Sequence, residues 1–190
     1  MMWRPVMLVL LGLATPLAAQ EDAAPLDGNA EMAAIYAADQ AARSGSDKDW
    51  EAIRKADRQR RERVRALLDE GALQTGADFH AAAFVFQHGD EPEDYLLAHA
   101  LAVRSLGLGF KRAEWIAAAT LDRYLQSIAR DQIYGTQSLQ FIGEPATRGR
   151  YDRTLLTDQL RVGAGVETLA EQDAILEERN AQTDHAHDHE

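Results

Sequence analysis

The densest run of side chains able to fix a ligand lies between Leu121 and Gln137. Asp122 and Arg123 stand late in a helical pattern there, and Gln132, Tyr134, Gly135, Thr136 and Gln137 follow closely. A carboxylate, a guanidinium, amides and hydroxyls together supply charged and neutral donors and acceptors. Gly135 lets the backbone approach a ligand where a side chain would block it. Against an apolar wall such a set is the usual make-up of a ligand pocket. The same groups could instead tie the loop to the helix through charge-assisted hydrogen bonds.

Gln87, His88, Gly89 and Asp90 form a second candidate. Histidine changes charge nearest neutral pH, so His88 is the natural general acid or base, with Asp90 or Asp122 to orient it and Arg123 to hold an anion or oxyanion. A histidine in a last helical turn also simply complements the helix dipole. His80, His88 and His99 could converge with a carboxylate on a metal, but no short spacing of the HExxH kind supports this and no metal is assigned to them. Three satisfied core histidines are the plainer reading. No cofactor is implied, although the tail Asp184 to Glu190, alternating His with acids, can gather divalent metal. The chain holds no GxSxG, Walker loop, dinucleotide fingerprint or cysteine.

Helices must position these groups. Asn29 caps one running to about Arg43, with Met32, Ile35 and Tyr36 at helical spacing. Asp47 or Ser46 caps a second, to Glu70, whose stripe of Trp50, Ile53, Val64, Leu67 and Leu68 also contains Asp57. A carboxylate there must be paired or reach the edge of the core. Residues 78 to 88 read as a helix apolar nearly all round, hence buried on most sides. Asp90 with Glu93 reads as a capping box for a helix to about Gly107, with Tyr95, Leu96, His99, Val103 and Leu106 on its stripe. The next helix spans Lys111 to about Arg130, with Ala117, Leu121, Tyr124, Leu125 and Ile128 apolar, Arg112, Arg123, Ser127 and Arg130 polar, and Asp122 at the lip of the core. Residues 134 to 151 read as a short hairpin or extended loop, followed by helices near 155 to 162 and 166 to 180. The fold class expected is mainly α, a helical domain of about five to seven helices with a short β-hairpin or extended loop after the central ones.

The ends carry different signals. Arg4, the apolar run from Val6 to Leu13 and Leu17-Ala18-Ala19 read as a signal peptide over 1 to 19, too short to span a membrane. Residues 20 to 28 read as a flexible leader, 29 to 180 as the domain and 181 to 190 as a disordered tail. Removing 19 residues leaves 190 − 19 = 171, enough for one core without disulfides. A periplasmic or secreted location follows, with no transmembrane segment after cleavage. The formal charge of −11 argues against nucleic-acid partners. The basic run from Arg58 to Arg65, broken by Glu62, reads as a solvated helix face.

Asp39-Gln40 with Arg43, then Asp57, then Phe86 to Asp90, Leu121 to Arg123 and Gln132 to Gln137 follow in that order. This order resembles a bacterial family of domains of unknown function whose members read D-Q-x-x-R, Q-H-x-D, D-R and Q-x-Y-G-T-Q. Arg161 to Leu169 is similar to the family's ending, and the likeness spans roughly residues 33 to 171. It implies a helical domain closed by a short extended segment, and that these polar groups belong together; Asp39, Gln40, Arg43, Gln87, Gln132, Tyr134, Gly135, Thr136 and Gln137 are the expected ligand-binding residues. It brings no reaction with it. The chain departs from the pattern at Ala72-Leu73, where many members carry Trp-Pro. The expected function is an exported domain that binds a small polar molecule or cell-envelope fragment, possible hydrolysis being argued from residue type alone. The competing class is a helical scaffold that holds an envelope protein, its polar residues forming an internal network.

Overall fold

A computed structural model describes residues 28 to 44, 48 to 141 and 144 to 187, with side chains to 182. The signal peptide and nearly all of the leader lie outside the described residues. Seven α-helices are present among the described residues: α1 Ala30–Ala41, α2 Trp50–Asp69, α3 Gly76–Phe86, α4 Pro92–Gly107, α5 Glu114–Ser127, α6 Asp158–Gly163 and α7 Leu169–His187. A 3-10 turn, Lys111–Ala113, leads into α5. The protein is mainly α, as its periodicity predicts.

α3 is the centre. Its residues are small or apolar on nearly every side, and Ala81, Ala82, Ala83, Val85 and Phe86 are all buried. α4 packs along it most extensively and α5 packs on α4, while α1 and α2 lie against other sides of α3. Met32, Val64, Leu67, Leu101 and Ile116 complete the core around it. At about 25 cal/mol per Å² of apolar surface removed from water, this shared burial is what makes the helices stable together.

The helix starts are set by local chemistry, in places one or more residues from where the sequence pattern puts them. Asn29 caps α1 as expected, its side chain accepting from Met32 N–H. Asp49 caps α2. α3 starts earlier than expected because Thr75 and Asp78 form a capping box, with Asp78 also accepting from Asn29 N–H at 2.7 Å and Gln74 N–H at 3.0 Å. The box of α4 is Glu91 with Asp94, one residue beyond the expected Asp90 and Glu93, because Asp90 is drawn to Arg61 instead.

Two helix faces also differ. On α4 the inward side is Ala98, Leu101, Ala102 and Ser105, whereas Leu96 and Val103 are exposed. Small residues allow α3 and α5 to approach closely, so the interface selects alanine over the larger apolar side chains. On α5 the buried side is Ile116 to Thr120 together with Asp122, and Ile128 is exposed. This turns Arg123 toward α3 instead of onto a solvated polar face.

After α5 the chain forms an extended loop with only two isolated bridges among the described residues, Gln132 with Tyr151 (parallel) and Leu139 with Thr147 (antiparallel). α7 runs past the expected end at Asn180 and packs on this loop. Gln172 donates to Tyr134 O at 2.9 Å, Arg179 to Ser138 Oγ at 3.0 Å, and Asn180 brackets Ala146 by donating to its O and accepting from its N–H. No helix among the described residues is long and apolar enough to cross a membrane.

Candidate functional site

Asp122 is fully buried, and its two oxygens accept four hydrogen bonds from the loop. Oδ1 takes Ile133 N–H at 2.8 Å and Tyr134 N–H at 3.0 Å; Oδ2 takes Thr136 N–H at 2.9 Å and the Thr136 hydroxyl at 2.8 Å. Such a turn needs a residue that bends back without a side chain. Gly135 supplies it at φ +80°, where a Cβ would stand 2.3 Å from Gln172 Oε1 and 2.6 Å from the Tyr151 ring. Gln132 and Gln137 close the loop on itself: Gln137 N–H donates to Gln132 Oε1 and Gln132 Nε2 donates to Gln137 O, both at 3.0 Å. Asp122, Gln132, Gly135 and Thr136 thus act as a clasp joining loop to helix.

His88 follows the last turn of α3 and faces α1. Its Nδ1 lies 3.2 Å from Asp39 Oδ1. Asp39, fully buried, also accepts from Arg43 Nη1 at 2.9 Å and from Gln40 Nε2 at 2.8 Å. Arg43 bridges onward to Asp57 at 2.7 Å, and Arg60 takes that carboxylate's other oxygen at 2.8 Å, so Asp57 is paired as its place in the stripe demands. Burial alone would raise the Asp39 carboxyl. The hydrogen bond and charge of His88, then Arg43 and Gln40, outweigh it and hold Asp39 below the usual carboxylate range. Burial lowers the His88 pKa, and the Arg43 and Arg123 cations push the same way against the pull of Asp39. A carboxylate can only accept, so the neutral ring carries its proton on Nδ1 and presents Nε2 as an acceptor. Nε2 has no hydrogen-bond partner among the described residues.

The residue that orients His88 is therefore Asp39, not Asp90 or Asp122. Asp90 is half out in water and paired with Arg61, whose Nη1 also donates to His88 O at 2.6 Å. Asp122 is consumed by the clasp. Arg61 had no signal in the sequence beyond membership of a basic run, yet it is buried and anchors the end of α3. That run is a solvated face except at Arg60, which pairs with Asp57, and at Arg61.

Arg123 joins the two halves of the site. Nη1 donates to Gln87 O at 2.9 Å, while Nε and Nη2 donate to Gln137 Oε1 at 3.2 and 3.0 Å, and the guanidinium lies over the Tyr95 ring. Burial lowers its pKa, and Arg43 adds repulsion. No carboxylate pairs with Arg123 among the described residues, which distinguishes it from Arg43, Arg60, Arg61 and Arg161. The Tyr134 hydroxyl has no partner among the described residues, its backbone being what the clasp uses; burial raises its pKa, with Asp122 acting in the same direction.

The histidines do not converge. His80 sits in an aromatic box with Tyr36, Phe84 and Phe110, and burial, aided by Arg112, lowers its pKa to about 4. His99 Nδ1 is 2.9 Å from Ala117 O, joining α4 to α5. No group of three or more His, Asp or Glu able to hold a metal occurs among the described residues. The side chains of His185, His187 and His189 lie outside those residues. A hollow of about 290 Å³ lies on the exposed side of α2, lined by Asp49, Glu51 and Arg58, away from His88 and Arg123. No family model, curated protein or solved structure matches this chain.

Proposed function

We propose that this is an exported helical domain that binds a small polar ligand carrying an anionic group, a metabolite or a fragment of the cell envelope, at Arg123 and His88. One observation carries the reading. Arg123 is withdrawn from water against a carbonyl, an amide oxygen and a ring, with no carboxylate partner among the described residues and a second guanidinium near. A cation so placed lacks the counter-charge that partly buried cations ordinarily have, and an anionic ligand supplies it. His88 follows Gln87, whose carbonyl Arg123 binds, and its Nε2 has no hydrogen-bond partner among the described residues, so any reaction would use this nitrogen as general base, Asp39 holding the ring and Arg123 the developing negative charge. The order of motifs shared with the resembling bacterial family fits such a grouping.

The test is a thermal-shift titration of the full chain with acetate, phosphate and small dicarboxylates, beside Arg123→Gln and His88→Gln. Saturable stabilisation that disappears in Arg123→Gln supports the reading. No stabilisation by any anion, with Arg123→Gln strongly destabilised, favours the second reading.

That second reading is a helical scaffold for an envelope protein. It draws on the clasp, in which both carboxylate oxygens of Asp122 and both the oxygen and the nitrogen of the Gln132 amide serve the fold. Under it, Arg123 is a further tie between α5, α3 and the loop.

A further inference from the structure

α4 has two sides. Ala98, Leu101, Ala102 and Ser105 are buried toward the core, while Glu93, Leu96, Ala100, Val103, Arg104 and Gly107 are exposed. At 3.6 residues per turn these six fall on one side of the helix, within an arc of about 100°. Leu96 and Val103 are 45% and 50% exposed and stand seven residues apart with Ala100 between them, the spacing by which one helix seats against another. The two charges of this face lie outside the apolar pair, Glu93 before it and Arg104 after it, about 16 Å apart along the helix. Neither has an ion-pair partner among the described residues. Asp90 holds Arg61, Glu91 and Asp94 form the cap, and the Arg104 guanidinium lies over the Phe79 ring.

These positions are self-complementary. The midpoint between Glu93 and Arg104 and the midpoint between Leu96 and Val103 fall one residue apart, about 1.5 Å of helix rise. A two-fold axis crossing α4 there, between Ala98 and Ala100, lays a second α4 antiparallel on the first. It sets Glu93 of each copy level with Arg104 of the other, and Leu96 of each against Ala100 and Val103 of the other. From this symmetry we infer that the outer face of α4 docks a second copy of this chain as an antiparallel helix pair. Such a contact is isologous, so both ion pairs and the apolar seam form at once. Parallel docking would instead oppose Glu93 to Glu93 and Arg104 to Arg104, and an unrelated partner would call for no shared midpoint. One helix face is small beside the roughly 800 Å² per partner of a standard interface, so the dimer is weak, with a Kd on the order of 100 μM. This surface is separate from Arg123 and His88, and the inference holds whatever they bind.

Sedimentation velocity of the full chain from about 10 μM to about 1 mM reads the monomer–dimer equilibrium across that Kd. Val103→Glu, which places a carboxylate in the seam, is expected to raise the Kd at least about tenfold. Glu93→Arg and Arg104→Glu each set like charges level with one another, and each is expected to raise it about tenfold. An equimolar mixture of those two variants is expected to regain the original association, because each copy then meets the opposite charge at both ends. The mixture also controls for folding, since two unfolded chains would not recover association on mixing. A chain that stays monomeric to about 1 mM, association unchanged by Val103→Glu, or charge variants that associate no better together than apart, overturns the inference.

Discussion

Replacing Asp122 by asparagine keeps the shape of the side chain and removes half of its accepting power. The amide nitrogen must then face either Ile133 and Tyr134 N–H or the two donors of Thr136, all now 2.8 to 3.0 Å from an oxygen. At least two hydrogen bonds to a charged acceptor are lost, each worth about 1.5 to 3 kcal/mol, and buried donors are left without partners. A loss of about 4 kcal/mol follows, large against the 5 to 15 kcal/mol that holds a domain together. Equilibrium urea unfolding of the full chain measures it. With a slope of about 2 kcal/mol per M the midpoint should fall by about 2 M. A loss under about 1 kcal/mol would show that the loop is held by something other than this carboxylate and refute the clasp.

Three further outcomes are expected. Because the folded His80 pKa is about 4, below its usual value, the unfolded chain takes up the proton first as pH falls; the stability it contributes is present above about pH 6.5 and lost toward pH 4, up to about 3 kcal/mol, and a His80→Phe variant should lack this part of the slope. Gly135→Ala should cost at least about 2 kcal/mol in the same unfolding assay, since φ +80° and contacts of 2.3 and 2.6 Å leave no room for a methyl group; an unchanged midpoint would mean the turn relaxes freely. Arg61→Met should cost about 2 kcal/mol by freeing the buried end of α3, with no effect expected from Arg58→Met on the solvated side.

Much of this was legible in the residues. Asp57 within an apolar stripe announced a paired carboxylate, and the pair is Arg43 and Arg60. The all-round apolar character of residues 78 to 88 announced the central helix. Asp122 at the lip of the core announced hydrogen bonds in place of water. What periodicity could not convey was which apolar face wins when alanines compete with leucines. Close packing of α4 between α3 and α5 chose Ala98 and Ala102 and left Leu96 and Val103 outside. Nor could spacing reveal the partner of His88, because Asp39 lies forty-nine residues away in sequence while Asp90 lies two away and is captured by Arg61. Long-range ion pairs are decided by tertiary geometry, and nearness in sequence misled there.

The most direct test of the account is isothermal titration of the full chain with small carboxylates, paired with unfolding of Arg123→Gln. Arg123 donates to Gln87 O and twice to Gln137 Oε1, so Arg123→Gln should cost about 2 kcal/mol through those ties and weaken carboxylate binding at least about tenfold. A variant that unfolds readily, in a protein that takes up no carboxylate, would contradict it.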